Sequence, residues 1–307
     1  MIGETIVRLS NLLEQLIRAR RVSDQSHLLL VDDGSSDGTW QLISSHVSRG
    51  FPVVGVKLSR NRGHQSALLA GLLHSNGDVT VSVDADLQDD LNAIERMLDE
   101  YESGADIVYG VRNRRDSDSL FKRATARSFY RILTWSGVET VFDHADYRLL
   151  SRRALDALSG FREVNLYLRG IIPLLGFQSS IVKYDRAERY AGESKYPLRK
   201  MIGLAIVAIT SFSVFPLRLI SCVGFILSLG SFAATLWVLW VKMFTASSAI
   251  GWASTTLPIY IIGGLQLLAL GIIGEYVAKI YMETKARPRF VIDTIIKADG
   301  RFGSRSA

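Results

Sequence analysis

Two stretches of this chain, residues 219–241 and 243–274, contain no Asp, Glu, Lys or Arg. A helix that crosses a bilayer needs roughly 20 apolar residues, and both stretches supply them. The 307 residues are 48% hydrophobic, high for a protein made only of soluble domains, yet 21% are charged, too many for a bundle made only of membrane helices. Segregation reconciles the two values, because everything before about Arg218 reads as soluble α/β sequence. Trp237 and Trp240 stand near one end of the first stretch, where aromatic rings favour the headgroup region. Residues 245–256 are small and polar and read as a connecting loop, and 257–273, extended toward Tyr281, read as the second span. The competing reading is a helical hairpin buried in a soluble core.

Charge orients these spans. The loop side offers only Lys242, whereas the other side carries Lys195, Arg199, Lys200, Arg218, Lys279, Lys285, Arg287 and Arg289. By the positive-inside rule the N-terminal part and the C-terminal end face the cytoplasm, which predicts a multi-pass protein of the cytoplasmic (inner) membrane. Residues 198–213 are apolar with Arg199 and Lys200 at their start, a pattern suited to a helix in the membrane interface. The expected domains are 1–197, an α/β domain; 198–213, an interfacial helix; 214–282, a two-helix transmembrane hairpin; and 283–307, a cytoplasmic tail.

The net charge of +6 suits nucleic acid, anionic lipid or phosphorylated ligands equally. No Lys/Arg block interleaves with aromatics, which argues against nucleic acid. Cys222 is the only cysteine, so an intramolecular disulfide and a cysteine-based zinc site are excluded, and it reads as a small packing residue. The first 25 residues hold no apolar run with a cleavage site, so no cleavable secretion signal is expected.

Within the N-terminal part, short apolar runs at 27–31, 53–58, 78–83 and 107–111 read as strands. Helical spacing marks 6–17, 39–47, 65–74, 92–101 and 151–158, a basic amphipathic helix occupies 119–135, and a further strand lies around 181–182. Strands alternating with helices imply a mainly parallel sheet, whose ligands sit beyond the carboxyl ends of its strands. Two acidic clusters fall at such ends. Asp84-Ala85-Asp86 follows the third strand, and two carboxylates at i and i+2 there can hold a hard divalent cation, Mg²⁺ or Mn²⁺, together with diphosphate oxygens. Gln88 adds a neutral oxygen within reach. Asp32-Asp33-Gly34-Ser35 ends the first strand; Asp32 and Asp33 are expected to face ligand and Asp37 to cap the next helix. A solvated turn is the competing reading of both clusters.

The basic turn Arg60-Asn61-Arg62-Gly63-His64-Gln65 precedes a helix and is expected to touch diphosphate, the competing reading being a plain loop near a helix N-terminus; His64 lacks partners at metal-ligand spacing and is given no catalytic role. A second acidic centre, Asp143-His144-Ala145-Asp146-Tyr147-Arg148, lies farther on, with Arg162, Arg169, Arg186, Arg189 and Lys195 downstream. Such charges are usually solvated surface, but these lie just before the membrane segments, where a lipid-linked anion would approach.

The stretches VDDGSSDGT (31–39), LSRNRGHQSALLAGL (58–72), DADLQDD (84–90), YGVRNRR (109–115), DYRLLSRRALDAL (146–158), DRAERYAGESKY (185–196) and GEYVAKIYMETKARPRF (274–290) together resemble family 2 glycosyltransferases of the GT-A fold. The nearest likeness is to the polyprenyl-phosphate group, that of bactoprenol glucosyltransferase and dolichol-phosphate mannose synthase. The resemblance implies a Rossmann-like GT-A domain followed by the interfacial helix and two transmembrane helices. It implies a nucleotide site at Asp32, Asp33, Arg60 and Asp84, and a metal site at Asp84, Asp86 and Gln88. Asp146 would be the base or the carboxylate that positions the acceptor. Arg112, Arg169, Arg186, Arg189 and Lys195 would receive lipid phosphate or donor diphosphate. The implied reaction is inverting hexose transfer, glucose from UDP-glucose, to undecaprenyl phosphate, with the bilayer as a further partner. A homo-oligomer is expected from the small residues Gly224, Ser228, Gly230, Ser231, Gly263 and Gly264.

One departure stands out. The family begins with a strand ending in a Pro-x-Tyr-Asn-Glu type motif, whereas Met1-Ile2-Gly3-Glu4-Thr5 resembles the helix after it. The expectation is an upstream gene start, unpaired edges on the neighbouring strands and impaired donor binding. Two further readings follow. A membrane scaffold or flippase partner without activity is one. A polysaccharide synthase is the other, and it is disfavoured because no Gln-x-x-Arg-Trp motif is present.

Overall fold

The alternating apolar runs and amphipathic segments fold as α/β layers in the computed structural model, which describes residues 2–112, 144–164, 166–185, 214–244 and 252–298. The chain divides into two units: an α/β unit formed by the N-terminal part together with the segment after residue 285, and a helical unit that includes 198–285. The amphipathic helix expected at 119–135 and the interfacial helix expected at 198–213 lie outside the described residues.

The α/β unit opens with α1 (Ile2–Arg18), β1 (Leu28–Asp32), α2 (Thr39–Ser48), β2 (Val53–Leu58), α3 (His64–His74), β3 (Val79–Ser82), α4 (Ala93–Glu102) and β4 (Ile107–Arg112). After residue 143 come β5 (His144–Ser151), α5 (Arg152–Ser159), α6 (Leu168–Leu174) and β6 (Ser179–Tyr184). The strands form two sheets, ordered β1-β2 plus a third strand, and β3-β5-β4-β6. The expected mainly parallel sheet is corrected to a mixed one. β1–β2 and β4–β6 run parallel, but β5 lies antiparallel between β3 and β4. The sequence reading has no strand at β5 because its charged residues mask the alternation. Tyr147 and Leu149 face one core while Asp146 and Arg148 are buried on the opposite face. Among the described residues β1 and β3 each pair on one side only.

The apolar stripe of α1 serves two clusters. Leu9 and Leu16 pack with Met97, Leu98, Val108, Leu149 and Val182, and Ile6 packs with Val47 and Val53. The polar edge of the same helix reaches the loop after β3, where the Thr5 hydroxyl donates to the Ala85 carbonyl at 2.8 Å. The N-terminal helix therefore holds the acidic loop by main chain, leaving its carboxylates open.

In the helical unit, α7 (Phe215–Phe244) and α8 (Trp252–Lys285) are long helices in contact with each other. Phe225, Leu229, Trp237, Leu267 and Leu270 are among many large apolar side chains left exposed. Among the described residues one helix segment, Ile261–Lys285, is long and apolar enough to cross a membrane, and none of it is buried; the apolar part of α7 that qualifies is the shorter Phe215–Leu227. Of the two expected spans, one is thus a candidate by length and composition among the described residues.

The expected tail contains a strand. β7 (Ile292–Lys297) pairs antiparallel with β2 and completes the first sheet in the order β1-β2-β7. Its approach is fixed by Arg289, whose Nη1 donates to the Phe161 carbonyl, by Phe290 packing edge-on against His74, and by Ser59 N donating to the Val291 carbonyl. Gly55 lets the layers meet there: a Cβ would stand 2.8 Å from Ile296 Cγ1 and 2.9 Å from Ile43 Cγ2. Ile296→Ala should lower the stability of the α/β unit by about 1–2 kcal/mol. Thermal melting of the detergent-solubilised full chain, against wild type, measures it.

Candidate active site

The loops after β1 and β2 interlock. Asp32, at the end of β1, is 2% exposed; its Oδ1 accepts from Ser35 N at 3.2 Å. Its buried Oδ2 has no hydrogen-bond partner among the described residues, a costly state for a carboxylate oxygen that no ligand meets. Asp33 turns the other way. Its oxygens accept from the amides of Arg62 at 2.7 Å and Gly63 at 2.8 Å, contacts that shape the turn before α3. Gly34 sits between the loops at φ +66°, where a Cβ would lie 2.5 Å from the Arg60 carbonyl carbon and 2.6 Å from Asn61 N. Arg60 is exposed on this turn. Asp37 accepts from Thr39 N at 3.0 Å, the capping contact expected of it, and the side chain and amide of Thr39 hold its carboxyl below the ordinary value.

Beyond β3 the chain makes a tight turn with Leu87 at φ +57°, sparsely populated for a bulky residue. Asp84 and Asp86 stay partly exposed, and Asp86 Oδ1 accepts from Gln88 N at 3.1 Å. Gln88, whose amide makes that bond, is 4% exposed. Burial raises Asp84 above the ordinary carboxylate value; His64 counters this, and the negative charges of Asp89, Asp146 and Asp86 add to the rise. A cation at Asp84 and Asp86 would relieve that crowding. Among the described residues no group of three or more His, Cys, Asp or Glu is arranged as a metal cage. The donor set therefore fits a small hard cation that takes one or two carboxylates and completes its shell with substrate phosphates and water.

Asp146 is the most heavily bonded residue of the site. Its side chain is 6% exposed, beside the fully buried Arg148. Oδ1 accepts from Arg148 Nη2 and from Arg169 Nε at 3.2 Å. Oδ2 accepts from Arg169 Nη2 at 3.1 Å, from His64 Nε2 at 3.0 Å and from Gln65 Nε2 at 3.4 Å. Burial pushes its carboxyl up, but the His64 hydrogen bond and the charges of Arg169 and Arg148 outweigh that and hold it well below the ordinary 3.8. In return the bond to Asp146 raises His64 above its ordinary 6.5, with burial opposing and Asp84 assisting. Gln65 Oε1 accepts from Leu168 N at 3.0 Å, so this side chain also fixes the start of α6, which carries Arg169.

A third group closes the far side. Tyr184 donates to Asp89 Oδ1 at 2.6 Å, Tyr147 donates to the Asp90 carbonyl at 2.9 Å, and their rings meet edge to face. Arg112 Nε stands 3.5 Å from the Tyr184 hydroxyl. The structure thus gathers Asp84, Asp146 and Arg169 and tethers Arg112 to the same acidic loop through Tyr184 and Asp89. Arg186, Arg189 and Lys195 lie outside the described residues. His64 and Arg148 are members of the site to which the sequence reading gives no catalytic role, and Gln65 is read there only as the end of the basic turn. The available signal was position: His64 and Gln65 open a helix just after Gly63, at φ +87°.

Acidic loops at the carboxyl ends of β1 and β3, with an arginine-held carboxylate between them, define an α/β domain of the GT-A type. The model of glycosyl transferase family 2 matches residues 6–159. The uncharacterized glycosyltransferase YkoT of Bacillus subtilis (strain 168) is 46% identical over 94% of this chain and 86% of its own length. The bactoprenol glucosyl transferase of Shigella phage SfX is 36% identical over 86% of this chain and 87% of its own. The prophage bactoprenol glucosyl transferase homolog of Escherichia coli (strain K12) is 34% identical over 90% of each. The chain belongs to glycosyl transferase family 2, and it is a glycosyltransferase.

Two stability measurements test this geometry. Asp146→Asn strips the buried Arg148 of its counter-charge and should cost about 3 kcal/mol. Asp146 contributes above 3.8 and loses its contribution only as pH falls through its lowered folded value. The His64 part is fully present below 6.5 and is lost as pH rises through its raised folded value. The difference between wild type and Asp146→Asn should therefore be largest between 3.8 and 6.5 and shrink at alkaline pH, read from melting curves. Gly34→Ala should destabilise more than Gly50→Ala, because both sit at positive φ but only the first methyl would strike backbone.

Proposed function

We propose that this protein transfers a hexose, glucose from UDP-glucose, with inversion to polyprenyl (undecaprenyl) phosphate at the cytoplasmic face of the membrane. One observation carries the reading. Carboxylates open to a cation, Asp84 and Asp86, stand beside a carboxylate, Asp146, that holds Arg169 at the cleft; Arg169 is 38% exposed. A sugar nucleotide brings a diphosphate to the first group, and a lipid phosphate is an anion suited to the second. The bactoprenol glucosyl transferases at 34–36% identity support the acceptor and the sugar.

Asp32, with its unmatched buried oxygen, receives a donor group of the nucleotide, and Arg60 meets the diphosphate. Asp84, Asp86 and Gln88 would hold Mg²⁺ or Mn²⁺, which would supply positive charge to the departing diphosphate. The acceptor phosphate is mostly ionised near neutral pH, so its oxygen attacks the anomeric carbon without a base while the bond to the diphosphate oxygen breaks and the nucleoside diphosphate leaves. Asp146 is in any case a poor base: both its oxygens are occupied and its carboxyl is held acidic. Its role is to aim Arg169 and His64. Arg112, Arg186, Arg189 and Lys195 complete the phosphate subsite. α7 and α8 form a two-helix membrane hairpin that keeps the domain at the lipid surface.

The test uses the full chain in nanodiscs with undecaprenyl phosphate, a panel of UDP- and GDP-sugars and either cation, with the lipid product read by mass. UDP-glucose should be used, EDTA should abolish transfer, and Asp86→Ala should lower it at least 100-fold. Undiminished transfer by Asp86→Ala would overturn the metal assignment. An intact protein that binds and turns over no donor would instead be a scaffold.

A further inference from the structure

His64 stands where three chain segments of the site converge. Its place is fixed by main chain: Asp33 holds the amides of Arg62 and Gly63, and α3 begins at the next residue. From there Nε2 lies 3.0 Å from Asp146 Oδ2, at the start of β5, and 3.9 Å from Asp84 Oδ1, beyond β3. The side chain is 55% exposed, so it lines the cleft rather than filling a core. One ring nitrogen has one proton to donate, and the shorter distance gives that proton to Asp146; the contact with Asp84 is one of proximity. Gln65, on the same first turn, reaches Asp146 Oδ2 and holds Leu168 N, next to Arg169.

We infer that His64 is a positioning residue for glycosyl transfer: its N–H holds the acceptor-side carboxylate Asp146, and with it Arg169, while its ring stands against the donor-side carboxylate Asp84. This rests on the reading of the cleft as the transfer site. The physical reason is distance. Asp84 belongs to a turn held through Ala85 by α1, whereas Asp146 belongs to β5 and carries Arg169. His64 Nε2 lies within 4 Å of both carboxylates. In-line transfer requires the reacting atoms about 3–3.5 Å apart, and a 1 Å error costs on the order of 100-fold in rate. Loss of the spanning side chain should therefore lower kcat and leave donor affinity nearly intact, since the loops that hold the donor do not depend on it. The bond to Asp146 needs only an N–H, which Gln supplies at a reach similar to Nε2.

The experiment compares His64→Ala, His64→Gln and Asp86→Ala in the full chain in nanodiscs, with undecaprenyl phosphate and the donor that wild type turns over. It measures kcat, KM for each substrate and melting temperature. Expected is a 10- to 100-fold lower kcat for His64→Ala, a donor KM within about threefold of wild type, and recovery of most of kcat in His64→Gln. A kcat within twofold of wild type in His64→Ala, with Asp86→Ala inactive, overturns the inference and leaves the transfer reading standing. Equal loss in the Ala and Gln variants, or a loss of kcat that tracks a lower melting temperature, also overturns it. A wild type that turns over no donor overturns the inference and that reading together.

Discussion

A carboxylate that is 6% exposed stays ionised inside a protein only when donors surround it, and Asp146 has them on both oxygens. The pair it makes with Arg148 is costly to bury, since each ion gives up hydration worth several kcal/mol. The expense is met by geometry. Arg148 follows two residues later on the same strand face, Arg169 arrives in a two-point fork, and His64 and Gln65 come from the first turn of α3. The partners lie on β5, α3 and α6, so this one anion sets those three elements against each other. The site is a consequence of that arrangement.

Around the anion, separate contacts hold the acidic loops without consuming their carboxylates. Thr5 takes the carbonyl of Ala85, Tyr147 takes the carbonyl of Asp90, and Asp33 is used on the turn before α3. Asp84 and Asp86 remain open, in a field made negative by Asp89 and Asp146 as well. Such a field binds a cation and rejects an isolated anion, whereas Arg169 on the other side of Asp146 has the opposite preference. Two ligands of different charge character can thus meet within one cleft.

Much of this was legible in the residues. The strand-to-acidic-turn pattern located Asp32, Asp84 and Asp86, because short apolar runs ending in Asp, Ser and Gly have few other solutions. Asp146 stood out as a charge in a sequence-distant cluster. β5 was not legible, because alternation of Asp146 and Arg148 with Tyr147 and Leu149 looks like a solvated segment until the charged face is seen to be paired and buried. β7 was not legible either: Ile292, Ile295 and Ile296 follow a membrane-type helix and read as tail, and only the exposed edge of β2 makes them a strand.

The sequence by itself determined which segments are apolar enough to leave water, which strand ends carry carboxylates and to which family the pattern is similar. These depend on local composition and spacing, which a chain carries in any conformation. Tertiary structure alone decided that Asp33 braces the turn before α3, that Gln88 is buried and that His64 meets Asp146 and approaches Asp84. Those outcomes depend on which groups 29, 20 or 82 residues apart come within 4 Å of each other, and that distance exists only after the sheets form.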